Sequence, residues 1–277
     1  MPKTVDVPIT YTTADGDVTY APMVEAVVGG VETRLVVDTG ATDHLLTVEF
    51  ARRIGVPLEA GEPGTDATGA KVLSWYASGD VAVSSLGGAD GPVDVLRGVI
   101  AIDGPPPFAR WGIGGIVSPQ RLHPSGSVVL DLAGDVLTIG DSAGVADAPP
   151  GSWIAADVVR HRGGILCARA AVAPFSPCSM FLDSGSEDTD VDRTAVPGAV
   201  DDVLSNPLLV VAGVAFQLVA VNVTDGIPAP EGSTEDEALH GLIGMDVMKG
   251  TVLVIPPADG GQQVQWFVRS PAASAAP

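Results

Sequence analysis

A chain of 277 residues is long enough for two units of ordinary domain size, each burying its own core without disulfides or metals. Hydrophobic residues make up 46% and charged residues 17%, so the chain reads as globular rather than disordered. The formal net charge of −20 excludes nucleic acid and anionic membrane as partners, because both would repel it over a Debye length.

The opening segment, Met1 to Tyr11, lacks the apolar core of a secretory signal, and no apolar run reaches the length of a membrane span. The expectation is a soluble, cytoplasmic protein. Cys167 and Cys178 are the only cysteines. They exclude a disulfide scaffold; free thiols are expected, with one hairpin-closing bridge as the alternative.

Short Val/Ile/Leu-rich runs then recur between Gly, Pro and Asp turns: Met23 to Val28, Thr33 to Val37, Val81 to Ser84, Val93 to Ile102, Val128 to Leu132 and Val136 to Ile139. This is a strand pattern. One helix is predicted, over Thr47 to Ile54. Thr47 can cap it, Val48, Ala51 and Ile54 fall on one face, and Gly55 and Pro57 end it. The polar, Pro-rich stretch Asp141 to Gly151 has the composition of an exposed connection. It places a boundary near Pro149, between an N-terminal lobe, 1–149, and a C-terminal lobe, 150–277.

Beyond it the strand runs resume: Ile154 to Val159, Ile165 to Val172, Met180 to Leu182, Leu208 to Val211, Val214 to Val221, Val252 to Ile255 and Val264 to Val268. The tail after Arg269 has nothing to bury. The expected fold class is therefore all-β with short helices.

The halves share an order of features. The first runs LVVDTGATDHLL, a long insert, WGIGGIVSPQRL, then VVLDLAGDVLTI. The second runs SMFLDSGSEDTDV, a shorter insert, HGLIGMDVMKG, then TVLVIPPADGGQQVQWFV. Each has an apolar strand running into Asp-[Thr/Ser]-Gly, then a Gly-rich apolar turn leading to a short helical stretch and a final hairpin. A duplicated lobe explains this order.

Through Leu35 to Ala41, Phe181 to Ser186, Gly112 to Ile116 and Gly241 to Asp246, the chain resembles the pepsin-like and retropepsin aspartic proteases. That resemblance implies a two-lobed acid protease fold with pseudo-twofold symmetry. It also implies a catalytic pair, Asp38 and Asp183, supported by Thr39, Gly40, Ser184 and Gly185. The chemistry fits the residue types. Gly40 or Gly185 lets the backbone turn sharply, and Thr39 or Ser184 offers a hydroxyl to fix the loop. Carboxylates about 3 Å apart cannot both ionise, so the pair shares a proton and one member acts as base while the other acts as acid.

From Asp38 to Gly115 is 77 positions and from Asp183 to Gly244 only 61, a surplus of 16 in the first half. The resemblance implies a substrate-covering hairpin in that insert. Gly64 to Ser78 is the candidate, with Trp75 and Tyr76 as substrate-binding residues or else as ordinary sheet residues.

Gly114 stands where an apolar residue is expected, and Ser186 is followed by the acidic run Glu187, Asp188, Asp190 and Asp192. A solvated loop is the plain reading of that run. Its alternate spacing resembles a calcium loop but lacks the Gly and terminal Glu. His44, His123, His161 and His240 show no ligand spacing, so no metal and no cofactor is expected.

The primary reading is an aspartic endopeptidase acting on a peptide in the interlobe cleft. One alternative keeps the acid pair for proton transfer on a small-molecule metabolite, as in a cyclisation or isomerisation. The other is a catalytically silent peptide-binding module.

Overall fold

The computed structural model describes residues 4–65, 71–88, 93–141, 153–161, 164–227, 238–257 and 263–269. The expected boundary near Pro149 and the tail beyond Arg269 lie outside them.

The two halves repeat one pairing order. In the first, Val18–Val28 is antiparallel to Val31–Val37, and Val31–Val37 is parallel to Ile113–Val117. That strand is antiparallel to Leu45–Thr47, which is parallel to Ile100–Ile102, itself antiparallel to Ser74–Ala77. In the second half the same sequence of senses runs through Leu166–Val172, Cys178–Leu182, Gly241–Ile243, Asp190–Asp192, Ala220–Thr224 and Val203–Ser205. Six strands thus recur with identical neighbours, which is the structural counterpart of the repeated sequence order.

A continuous set of strands joins the halves. Thr4–Pro8, Val136–Gly140 and Ser127–Asp131 from one side meet Val252–Ile255, Gln265–Arg269 and Trp153–Arg160 from the other. The central pair, Ser127–Asp131 with Val252–Ile255, is antiparallel from Val128↔Ile255 to Asp131↔Val252. The halves are therefore hydrogen-bonded to each other along a strand. Trp266, with no exposed surface, donates its indole N–H to Thr251 Oγ1 at 2.9 Å, and Thr251 donates to Met248 O at 2.8 Å.

Alternation along the strands explains the burial. Leu35 and Val37 are fully buried in the main core, while Val36 packs into a second cluster with Met23 and Ile113. Each such side chain contributes on the order of 1.5–3 kcal/mol by leaving water.

The predicted helix forms as Val48–Arg53. Thr47 caps it by accepting from Phe50 N at 3.1 Å, and Val48, Phe50 and Ala51 are buried. Gly114 has its explanation here. A Cβ at that position would lie 2.9 Å from the Phe50 ring and 2.5 Å from Thr33 Oγ1, so Phe50 occupies the space an apolar residue would need.

Some predicted elements change. The run Val93 to Ile102 splits into Val95–Leu96 and Ile100–Ile102, because Gly98 takes φ +62° between them. The run Val214 to Val221 splits into Val214–Gln217 and Ala220–Thr224, which pair with different neighbours. The strand Thr4–Pro8 and the helix Pro106–Trp111 are found where none was predicted; the helix starts with proline, whose fixed φ suits a first turn. Cys167 and Cys178 are free thiols. Among the described residues no helix is long and apolar enough to cross a membrane.

Candidate active site

Asp38 and Asp183 leave the ends of corresponding strands. The amide of Asp38 donates to Val117 O and that of Asp183 to Ile243 O, both at 3.0 Å, so each aspartate is anchored to its parallel neighbour. Each side chain then folds back on its own loop. Gly40 N donates to Asp38 Oδ1 at 2.7 Å and Gly185 N to Asp183 Oδ1 at 2.9 Å.

The loops are locked to each other by the residues between Asp and Gly. Thr39 Oγ1 donates to Leu182 O at 2.7 Å and accepts from Ser184 N at 3.0 Å. Reciprocally, Ser184 Oγ donates to Val37 O at 2.7 Å and accepts from Thr39 N at 3.0 Å. Both side chains are completely buried. Two hydroxyls thus satisfy four backbone groups that would otherwise be buried without partners.

This interlock brings the carboxylates together. The two carboxyls lie within side-chain hydrogen-bonding reach of each other. Glycine is required on both sides: a Cβ on Gly40 would lie 2.7 Å from Asp183 Cγ, and one on Gly185 would lie 2.6 Å from Asp38 Cγ. Burial raises both carboxyls above the ordinary range. For Asp183 the negative charge of Asp38 and the bond to it raise the value further. Donation from Asp183 and from the amides of Gly40, Ala41 and Gly185 works the other way on Asp38. The two carboxyls therefore share a proton and titrate as a unit, above the ordinary carboxylate range.

Surrounding groups hold the loops. Gln120 Nε2 donates to Thr39 O at 2.7 Å. Asp246 accepts from both the amide and the hydroxyl of Thr189, at 3.2 and 2.7 Å, and Thr189 Oγ1 also accepts from Gly244 N at 3.2 Å. Buried His44 accepts from Ser118 N through Nδ1 at 3.2 Å, and burial lowers its pKa to about 4, so the ring is a neutral structural acceptor.

The acidic run divides into two kinds of residue. Asp190 accepts from Asn222 Nδ2 at 2.7 Å, and Asp192 caps the short turn Arg193–Ala195 by accepting from Thr194 N at 2.8 Å. Glu187 and Asp188 are exposed. Among the described residues no group of three candidate ligands is placed to hold a metal ion.

The candidate covering hairpin is seen in part. Gly64–Thr65 pairs with Lys71–Val72, and its tip, residues 66–70, lies outside the described residues. From Ser74 onward the chain joins the first-half sheet, where Trp75 lies opposite Ala101 on one side and Ala60 on the other. Trp75 packs against the main core and Tyr76 is 48% exposed. Neither makes a hydrogen bond to the Asp loops.

Another aromatic residue, one the sequence did not single out, stands near the pair. Tyr20 lies on Val18–Val28; carrying on the pairing Met23↔Val36 and Val24↔Leu35 brings Ala21 level with Asp38 and Tyr20 level with Thr39. Burial raises its hydroxyl pKa, and the negative charges of Glu187, Asp183, Asp38 and Asp188 raise it further, which puts all four within electrostatic reach.

Residues 24–105 match the family model described as aspartyl protease. No curated protein matched the chain. Among the solved structures, basic 7S globulin from soybean aligns over 100% of this chain and 98% of its own, with a TM-score of 0.55 at 11% identity. The match over 24–105 includes the Asp38 loop, and the alignment spans both halves at a level of identity that speaks to fold. The first match ties residues 24–105 to the aspartyl proteases, and the second shows that the whole chain has the all-β, two-lobed pepsin-like fold.

Proposed function

We propose that the protein is an aspartic endopeptidase in which Asp38 and Asp183 activate water for attack on a peptide carbonyl. The observation that supports this reading is the contact between the two carboxylates, one from each half, held by the Thr39–Ser184 interlock. A pair carrying one proton holds a base and an acid side by side. The ionised member takes a proton from the attacking water as the protonated member gives its own to the carbonyl oxygen. The roles then reverse as the tetrahedral species collapses, and no covalent intermediate with the protein forms.

The activity window is the pH range in which the pair holds one proton. Burial raises both carboxyls, so that range is shifted upward from where ordinary exposed carboxylates would put it.

The test is hydrolysis of denatured casein below about pH 6, an order-of-magnitude limit for a carboxylate pair. Asp38→Asn and Asp183→Asn should each abolish cleavage while leaving the far-UV circular dichroism spectrum intact, since an amide can neither share the proton nor exchange roles. Cleavage that persists in both variants would overturn the assignment. Intact casein together with a small-molecule reaction lost in both variants would move the pair to metabolite chemistry.

A further inference from the structure

The two Asp loops are braced alike except at one place. Val117 O and Ile243 O receive the amides of Asp38 and Asp183, so counting equally onward makes Ser118 the counterpart of Gly244 and Gln120 the counterpart of Asp246. The hydrogen bonds repeat on the same count. Ser118 N donates to His44 Nδ1 and Gly244 N to Thr189 Oγ1, both at 3.2 Å, and His44 and Thr189 stand equally far beyond the two aspartates.

At Gln120 and Asp246 the halves part. Asp246 turns to its own neighbour and accepts from the amide and the hydroxyl of Thr189. Among the described residues no side chain donates to Ser184 O. Gln120 instead reaches the other way. Its Nε2 donates to Thr39 O at 2.7 Å and makes a long contact of 3.4 Å to Gly164 O of the second half, while its Oε1 accepts from Ser118 Oγ at 3.3 Å. Both groups on the nitrogen side are carbonyls, which only accept, so the amide has one possible orientation.

Thr39 O and Gly40 N–H are the two ends of one peptide unit, and Gly40 N–H is the group that donates to Asp38 Oδ1 at 2.7 Å. Donation to the oxygen end polarises the peptide and makes its N–H a stronger donor. A relay thus runs from Gln120 through the Thr39–Gly40 peptide to the Asp38 carboxylate. The matching peptide, Ser184–Gly185, donates to Asp183 Oδ1 at 2.9 Å without that support. The titratable groups around the Asp38 loop bring it no free positive charge. Asp183 and Tyr20 act on Asp38 as acids, His44 is neutral, and Arg121, next to Gln120, is paired with Asp43 at 3.0 Å.

Building on the endopeptidase reading, we infer that Gln120 is a positioning residue: by holding the Thr39–Gly40 peptide against Asp38 it keeps the single negative charge of the working pair on Asp38 and leaves the proton with Asp183. The pair loses its first proton at the acid limb of the activity profile and its second at the alkaline limb. Hydrogen bonding to Asp38 favours the first loss only, since Asp38 is already ionised when the second proton leaves. Removing the relay must therefore raise the acid limb and leave the alkaline limb in place.

The test compares Gln120→Met, which keeps the length but has no N–H, with the unmodified protein in kcat/KM against pH, on a fluorogenic peptide copied from a cleavage site in casein. The acid limb should rise by about 0.3–1 of a pH unit, the range between weakening and losing a charge-assisted hydrogen bond. Gln120→Leu should behave alike, and it decides the matter if the Met variant does not fold. The same quantity is read without turnover from the NMR carboxyl signals of isotope-labelled aspartate, assigned with Asp38→Asn and Asp183→Asn. There the first titration step of the Asp38 signal should move to higher pH by a similar amount.

A uniform loss of kcat/KM with both limbs in place would make Gln120 merely structural, and movement of the alkaline limb instead would put the charge on Asp183. Either result overturns the inference and leaves the endopeptidase reading standing. If the unmodified protein cleaves neither casein nor peptide, that reading fails and the carboxyl titration decides the inference alone. An Asp38 signal unmoved in both Gln120 variants would then sink it.

Discussion

Replacing Thr39 by Val tests whether the interlock holds the two halves of the site together. Valine keeps the branched shape and removes only the hydroxyl, so packing is largely preserved. In the native structure that hydroxyl serves Leu182 O at 2.7 Å and Ser184 N at 3.0 Å, in a position with no exposed surface. Its loss leaves one buried carbonyl and one buried amide without a partner. At about 1–3 kcal/mol for each unsatisfied group, the cost is on the order of 2–6 kcal/mol. Ser184→Ala should cost a similar amount, because it strands Val37 O and Thr39 N in the same way. The four bonds form one network, so the double variant should lose less than the sum of the two, with a coupling of about 1 kcal/mol or more. Equilibrium urea unfolding, followed by circular dichroism and Trp fluorescence in parallel, measures this from the shift in midpoint at constant slope. A loss below about 1 kcal/mol for Thr39→Val, or strict additivity of the pair, would refute the view that these hydroxyls join the halves.

Two further outcomes concern pH. Asp183 has its folded-state pKa raised, chiefly by burial, so its favourable contribution is complete below the ordinary carboxylate value and is lost as pH rises through the raised one. Asn does not titrate, so the melting temperature of Asp183→Asn minus that of the unmodified protein should grow as pH rises from acid to neutral; a constant difference would contradict the raised value. His44 has the opposite sign: with its pKa lowered from 6.5 to about 4, its contribution is present above 6.5 and is lost as pH falls toward 4. That loss amounts to at most about 3 kcal/mol. His44→Gln keeps an acceptor for Ser118 N and should flatten the decline of stability across that interval; an unchanged slope would show that His44 is not its source.

The repeated strand order and the Asp-[Thr/Ser]-Gly loops were legible in sequence because both are local. An apolar run, a turn glycine and a capping threonine each announce themselves within a few residues, and the helix after Thr47 formed as its cap and apolar face required. The breaks at Gly98 and before Ala220 were missed because a continuous apolar run carries no sign of which neighbour each part will pair with. The strand Thr4–Pro8 was missed for a related reason: its partner, Val136–Gly140, lies more than a hundred residues away. Of the two readings of Trp75 and Tyr76, the sheet placement is seen in the pairing of Ser74–Ala77, while the tip of the candidate hairpin lies outside the described residues.

Tyr20 shows the limit most clearly. Nothing in the segment VTYAPM marks it, since a tyrosine near the start of a β-strand is unremarkable by composition. Its position follows from three separate facts: the register of Val18–Val28 against Val31–Val37, the association of the halves through Ser127–Asp131 and Val252–Ile255, and the return of the chain after Gly185. Each of these is long-range, and none leaves a sign in the residues around Tyr20. The near-symmetry of the two Asp loops has the same character. The motifs differ by one methyl group, Thr39 against Ser184, and burial raises both carboxyls, so the motif by itself does not set which of them carries the shared proton. A duplicated sequence supplies two equivalent carboxylates, and the Thr39–Ser184 interlock that joins their loops makes them titrate as one unit.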